Sequence, residues 1–193
     1  IRDVLGSRGL GDVYKRQDTV DMVKAFKAKG FGLNQTVADM YEALKPTYKS
    51  EVQSWGGTIE YNHITAPSTT GVFSSKEPSQ AALDGQNATW KDSMNDNNVM
   101  IVTIARSASE NGTYQPGTAG VDPTQNLNQT DPLGLSDDER DLINAAVTAK
   151  AANGGKVIVL LNNASAMEVQ EIEDNVGVDA ILQVGLPGGY GFY

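Results

Sequence analysis

Residues 135–161 read LSDDERDLINAAVTAKAANGGKVIVLL. Ser136 stands where a helix N-cap belongs, and Glu139, three residues on, completes a capping box. Asp137 and Asp138 add negative charge at the positive end of the helix dipole. Leu142, Ile143, Ala146, Val147 and Ala151 form one apolar stripe, and Asn153-Gly154-Gly155 stops the helix. Lys156-Val157-Ile158-Val159-Leu160-Leu161 follows, an apolar run of the kind found in strands covered on both faces.

The same logic extends in both directions. Upstream, Val99 to Ile104 is a second apolar strand, separated from the helix by a long polar loop over residues 105–135. Downstream, the pattern predicts a short helix from Ala166 to Asp174 and a third strand from Val178 to Val184. The order strand, loop, helix, strand, helix, strand predicts an α/β fold. Its core is a doubly wound, mostly parallel sheet with helices on both faces and right-handed crossovers. Ligands of such sheets lie beyond the carboxyl ends of the strands. Three segments occupy that edge: the loop after Ile104, the Asn162-Asn163-Ala164-Ser165 turn, and the Pro187-Gly188-Gly189 turn.

Towards the N-terminus, Val20, Val23 and Phe26 predict a helix over Asp18 to Lys29, closed by Gly30. Asn34 is placed to cap a second helix carrying Val37, Met40, Tyr41 and Leu44 on one face and ending before Pro46. Residues 47–90 mix Gly, Pro, Ser and Thr and read as loop, with one short strand around Thr58 to Tyr61.

Composition narrows the chemistry. The 193 residues include 15 Lys and Arg against 24 Asp and Glu, a net charge of −9. Such a chain repels phosphate backbones, which argues against nucleic acid as a partner. Cysteine is absent, which excludes disulfides, thiolate metal sites and cysteine nucleophiles. The single histidine, His63, excludes a multi-histidine metal centre. No apolar run approaches the roughly 20 residues of a membrane-spanning helix. Carboxylates are therefore the working groups to expect of an enzyme of this composition.

The two ends differ from the rest. Residues 1–17, IRDVLGSRGLGDVYKRQ, carry four basic and two acidic side chains, show no periodicity, and resemble a translated sequencing-adapter tail. They are expected to be non-native. At the other end Gly188-Gly189-Tyr190-Gly191-Phe192-Tyr193 follows an apolar strand where a helix normally begins. Residues 18–193 thus read as an incomplete domain from a longer protein.

Few residues stand out as chemistry. Glu110, in Ala105-Arg106-Ser107-Ala108-Ser109-Glu110-Asn111, lies where a functional carboxylate can project, or is simply a solvated loop acid. Gly185-Leu186-Pro187-Gly188-Gly189-Tyr190-Gly191 lacks the order of a dinucleotide fingerprint and the Lys-Ser/Thr of a phosphate loop. That weakens a nucleotide-binding reading based on the alternation alone. Trp55 and Trp90 suit either sugar stacking or core anchoring. Five N-x-S/T triplets begin at Asn34, Asn87, Asn111, Asn128 and Asn163.

Several blocks in order carry a resemblance: Val99 to Ile104, the ARSASE segment ending at Glu110, LSDDERDLINAA from Leu135, KVIVLLNNASAMEV from Lys156, and VDAILQVGLPGGYG from Val178. GFGLNQTVADMYEAL from Gly30 belongs with them. Together they resemble the C-terminal α/β-sandwich domain of family 3 glycoside hydrolases, the β-glucosidase and β-xylosidase type, over roughly residues 18–193.

The resemblance implies an active site shared between two domains. A (β/α)8 barrel, here missing, supplies a nucleophilic aspartate, and the α/β sandwich supplies the general acid/base within an R-x-S-G-E-G-like segment. Glu110 occupies the acid/base position and Arg106 a substrate-binding one. Ser109 and Asn111 stand where the family has glycines. The implied substrate is a β-linked oligosaccharide or glycoside. Retaining hydrolysis needs two carboxylates about 5–5.5 Å apart and neither metal nor cofactor. The alternative is a non-catalytic domain that contacts carbohydrate or another protein.

Overall fold

The computed structural model describes residues 22–44, 50–54, 57–61, 65–67, 73–75, 77–105, 134–163 and 166–185. The chain divides into two compact units, one of Ile1–Leu33 with Pro187–Tyr193, the other of Asn34–Leu186.

In the first unit, helix α1 (Met22–Ala28) closes with paired turn bonds. The Phe31 N–H donates to the Phe26 carbonyl and the Gly30 N–H to that of Lys27. Gly30 has φ of +82°, the left-handed conformation such a stop requires. The Phe26 and Phe31 rings meet edge to face at 5.5 Å, the apolar contact that usually locks this motif.

The second unit begins with α2 (Gln35–Leu44). Asn34 caps it as the sequence predicts, its Oδ1 accepting from the Val37 N–H at 3.1 Å. Met40 and Leu44 are buried, with Val37 and Tyr41 packed against the same core.

Residues 47–90 differ from the expected loop. β1 (Ser50–Ser54) and β2 (Gly57–Tyr61) pair antiparallel, and so do β3 (Thr65–Pro67) and β4 (Phe73–Ser75). Ser54 pairs with Gly57, leaving the two residues between them that suit a tight hairpin. These strands are short and polar, and pairing rather than periodicity makes them. Helix α3 (Gln80–Gln86) is capped by Ser79. The one-turn α4 (Trp90–Ser93) then runs into a 3-10 turn, Met94–Asp96. Trp90 is 1% exposed, which resolves its role as a core anchor. Its Nε1–H donates to Asp84 Oδ1 at 2.9 Å.

The centre of the unit is a parallel sheet in the order β5-β6-β7, formed by Val99–Ala105, Lys156–Asn162 and Ala180–Gln183. Helix α5 (Asp137–Asn153) links the first pair and packs against β5 and β6. This is an α/β fold, as expected. Met100, Val102 and Ile104 align with Val157, Val159 and Leu161, and all six are buried in one cluster with Ile143, Ala146 and Ala149 of α5. On the opposite face Val99 (47% exposed), Ile101 (37%) and Leu182 (53%) keep part of their surface in solvent.

The capping box is formed. The Glu139 N–H donates to Ser136 Oγ at 3.2 Å, and the Ser136 N–H to Glu139 Oε2 at 2.9 Å. Gly154, at φ +72°, ends α5. α6 is shorter than expected, a single turn over Gln170–Glu173. Met167 and Val169 still pack on the core from outside the helix, so apolar spacing alone overstates its length. β7 is also short, but the Asp179 N–H bonds to the Val157 carbonyl and the Val184 N–H to that of Leu161, extending the ladder beyond both ends.

Gly177 lies so close to α5 that a Cβ there would meet Val147 Cγ1 at 2.2 Å. Gly177→Ala is expected to destabilise the fold by ~1–3 kcal/mol through overpacking, measured by denaturant unfolding. Adding Val147→Ala is expected to recover part of that loss. Equal stability of G177A and the parent chain would contradict the packing described.

Candidate functional site

Parallel strands place their carboxyl ends together, here Ala105, Asn162 and Gln183. β5 and β6 finish level, with Ala105 opposite Asn162. The next residue, Asn163, is fully buried. Gln183 Nε2–H donates to Asn163 Oδ1 at 2.8 Å and to its carbonyl at 3.2 Å. Asn163 Nδ2–H points at Met167 Sδ at 3.5 Å. The β6 and β7 ends are thus tied by a polar lock inside the fold. Asn162 Oδ1 is also shut off from water, and among the described residues no donor reaches it.

The α5 N-terminus lies on the same side, since α5 returns from the end of β5. An open groove of about 520 Å³ runs past Gly134, Leu135, Glu168, Gln170, Glu171, Asp174 and Asn175. Arg140 bridges it: its Nε and Nη2 face the two Glu171 oxygens, its Nη1 sits 2.6 Å from Asp137 Oδ1, and its Nη2 donates to the Leu135 carbonyl at 3.2 Å. Glu171 raises the Arg140 pKa, mainly through that hydrogen bond. The groove is lined by the carboxylates of Glu168, Glu171 and Asp174 and by the Gln170 and Asn175 amides, groups that can engage hydroxyl-rich molecules. Glu110 and Arg106 lie outside the described residues.

Three solved structures share the architecture. β-Glucosidase 3B from Thermotoga neapolitana aligns in complex with glucose (TM-score 0.54, 23% identity), with α-D-glucose (0.53, 23%) and with glycerol (0.52, 22%). What the chain shares with them is the fold. Each alignment covers 86% of this chain and 19% of the other, so the chain spans about a fifth of the length of the enzymes it matches. No family model matches the chain. No curated protein matches it in sequence.

One half-buried carboxyl escapes sequence reasoning. The Tyr41 hydroxyl donates to Glu77 Oε1 at 2.6 Å, across 36 positions. Burial pushes the Glu77 carboxyl up to about 8, with the Tyr41 bond working against the rise and Glu139 and Asp138 adding to it. Burial also raises the Tyr41 hydroxyl, with the Glu77 charge adding to the effect. Glu77 therefore holds its proton at neutral pH. Its hydrogen-bond partner lies on α2 and the acids that add to the shift lie at the start of α5, so its protonation belongs to the scaffold.

That assignment sets a pH dependence. Glu77 has an ordinary value of 4.5 and a folded value of about 8. Its contribution to stability is complete below the lower value and is lost as pH rises through the higher one, by up to about 1.4 kcal/mol per pH unit. Urea midpoints measured from pH 5 to 9 are expected to fall across this window, and Glu77→Gln should flatten the fall. An unchanged slope in E77Q would rule Glu77 out as the source.

Proposed function

We propose that this chain is a piece of a retaining β-glycosidase, contributing the loop that carries the general acid/base for hydrolysis of O-glycosyl bonds. The observation that carries the reading is the fold match to β-glucosidase 3B over 86% of the chain. It is supported by the ordered sequence blocks that flank the loop. Residues 18–193 are one incomplete domain in this reading, and residues 1–17 are foreign to it.

Glu110 follows Ala105, the last residue of β5, by five positions. Ligands of parallel sheets bind beyond the carboxyl ends of the strands, and in this reading the segment after Ala105 carries Glu110 to that edge. In the proposed reaction an aspartate of a separate (β/α)8 barrel attacks the anomeric carbon. Glu110 protonates the leaving oxygen and then takes a proton from water. Arg106, four positions before Glu110 in the sequence, takes the substrate-binding role in this reading. The acid must keep its proton until it is needed, which calls for burial or a neighbouring carboxylate in the assembled site. The substrate is a β-linked oligosaccharide or glycoside. No metal or cofactor takes part.

The second reading, a non-catalytic domain contacting carbohydrate or protein, draws on Ser109 and Asn111 replacing the glycines that flank the family's glutamate.

Two measurements separate them. The isolated 193-residue chain is expected to release no chromophore from an aryl β-glucoside, because half of the carboxylate pair is absent. In the full enzyme, Glu110→Gln is expected to slow substrates with poor leaving groups far more than activated aryl glycosides, whose departure needs little protonation. Equal losses on both, or no loss, would favour the non-catalytic reading.

A further inference from the structure

The same tripeptide, N-x-S/T, recurs in very different surroundings. At Asn34 the side chain is committed: Oδ1 accepts from the Val37 N–H, and Nδ2 donates to Ser93 O, Ser93 Oγ and Asn97 Oδ1 at 2.8–3.0 Å. At Asn163 it is wholly buried and bound to Gln183 and Met167. Neither nitrogen can take a substituent without breaking the fold.

Asn87 is different. It ends α3, with φ −154° and ψ 103° and its own N–H on the Leu83 carbonyl. Ala88 and Thr89 are exposed. The Thr89 backbone N–H donates to Asn87 Oδ1 at 3.0 Å and the Thr89 hydroxyl to the same oxygen at 2.9 Å. Asn87 Nδ2 makes no hydrogen bond among the described residues, and the side chain is partly exposed on a turn. That turn is pinned by the Trp90 N–H on the Asn87 carbonyl and by the buried Trp90 ring.

This geometry answers a chemical difficulty. A carboxamide nitrogen is a weak nucleophile because its lone pair is delocalised into the carbonyl. Two donors on Oδ1 stabilise the negative charge that collects there as Nδ2 gives up a proton. The nitrogen can then attack while both neighbours hold the amide plane fixed.

We propose that Asn87 is an N-glycosylation acceptor, taking at Nδ2 the sugar of a glycosyl diphosphate. In that step the Nδ2–C1 bond forms and the bond from C1 to the diphosphate oxygen breaks. The diphosphate leaves with the electron pair, and one Nδ2 proton passes to a base of the transferase. The reading is independent of the glycosidase proposal. It separates Asn87 from two triplets of the same pattern by structure alone.

The test treats the folded chain in two arms. One uses a lipid-linked oligosaccharyl diphosphate with an oligosaccharyltransferase, the other UDP-glucose with a soluble N-glycosyltransferase. Peptides spanning Asn34, Asn87 and Asn163 run in parallel. The expected result is a mass increment at Asn87 of the folded chain in at least one arm, which also identifies the donor type. Asn34 and Asn163 should accept sugar as peptides and lose it on folding. Asn87→Gln should abolish the increment, and Thr89→Ser should retain it. Failure of Asn87 to gain sugar in both arms overturns the proposal. So does labelling of Asn34 or Asn163 in the folded chain to the same extent as Asn87.

Discussion

The parallel pairing of β5 with β6 governs this structure. Seven consecutive residue pairs, from Val99 with Lys156 to Ala105 with Asn162, lie in register. A slip of one residue would turn every buried side chain to the other face. Met100, Val102 and Ile104 would exchange places with Val99, Ile101 and Thr103, and α5 would lose the surface it packs on. Two parallel neighbours also require a long crossover. The capped seventeen-residue α5 supplies it, and its dimensions fix where the carboxyl edge lies.

Polar side chains hold the ends of that pairing in place. Asn153 Nδ2 donates to the Asn97 carbonyl at 2.8 Å, fastening the end of α5 to the entry of β5. Gly155 passes so close to the Asn97 and Asn98 carbonyls that a Cβ would sit about 3 Å from each. Asp179 gathers the other side. It accepts from Lys150 of α5, from Lys156 and from the Val157 N–H. The Lys150 bond is the main reason its carboxyl stays well below the usual range. At the carboxyl edge Asn163 and Gln183 do the equivalent work. Hydrogen bonds thus hold the entry of the β5–β6 pairing and both ends of the β6–β7 pairing.

Legibility in the sequence followed the source of order. α5, β5 and β6 could be read directly because their signals are local: a capping box, a 3.6-residue stripe, unbroken apolar runs. α2 was readable through the Asn34 cap and its four-residue apolar face. β1 to β4 were not, apart from the Thr58 to Tyr61 stretch, because each depends on a partner strand and carries few apolar residues. α3 was missed although Ser79 is an ordinary N-cap, since the surrounding Gly, Pro and Ser dominate a composition-based reading. α6 was overextended because Met167 and Val169 reach the core without being helical. The site was less legible than the fold. Glu110 and Arg106 rest on a motif resemblance and lie outside the described residues. The Tyr41–Glu77 contact joins residues whose separation no local rule spans.

Glu77 and Asp179 also show what a displaced pKa means in this fold. Both carboxyls depart far from their ordinary values, in opposite directions, one through burial and one through ammonium and amide donors. Displacement of that size often marks an active site. Here each carboxyl is engaged by groups of the scaffold itself. Tyr41 occupies Glu77, and two lysines and a backbone amide occupy Asp179. A catalytic acid must instead hold its proton toward a substrate, in a place that water leaves only when the site closes. In the reading proposed above, Glu110 takes such a setting from a neighbouring domain, and its protonation is a property of the assembled enzyme. Glu77 and Asp179, by contrast, are already committed to the scaffold.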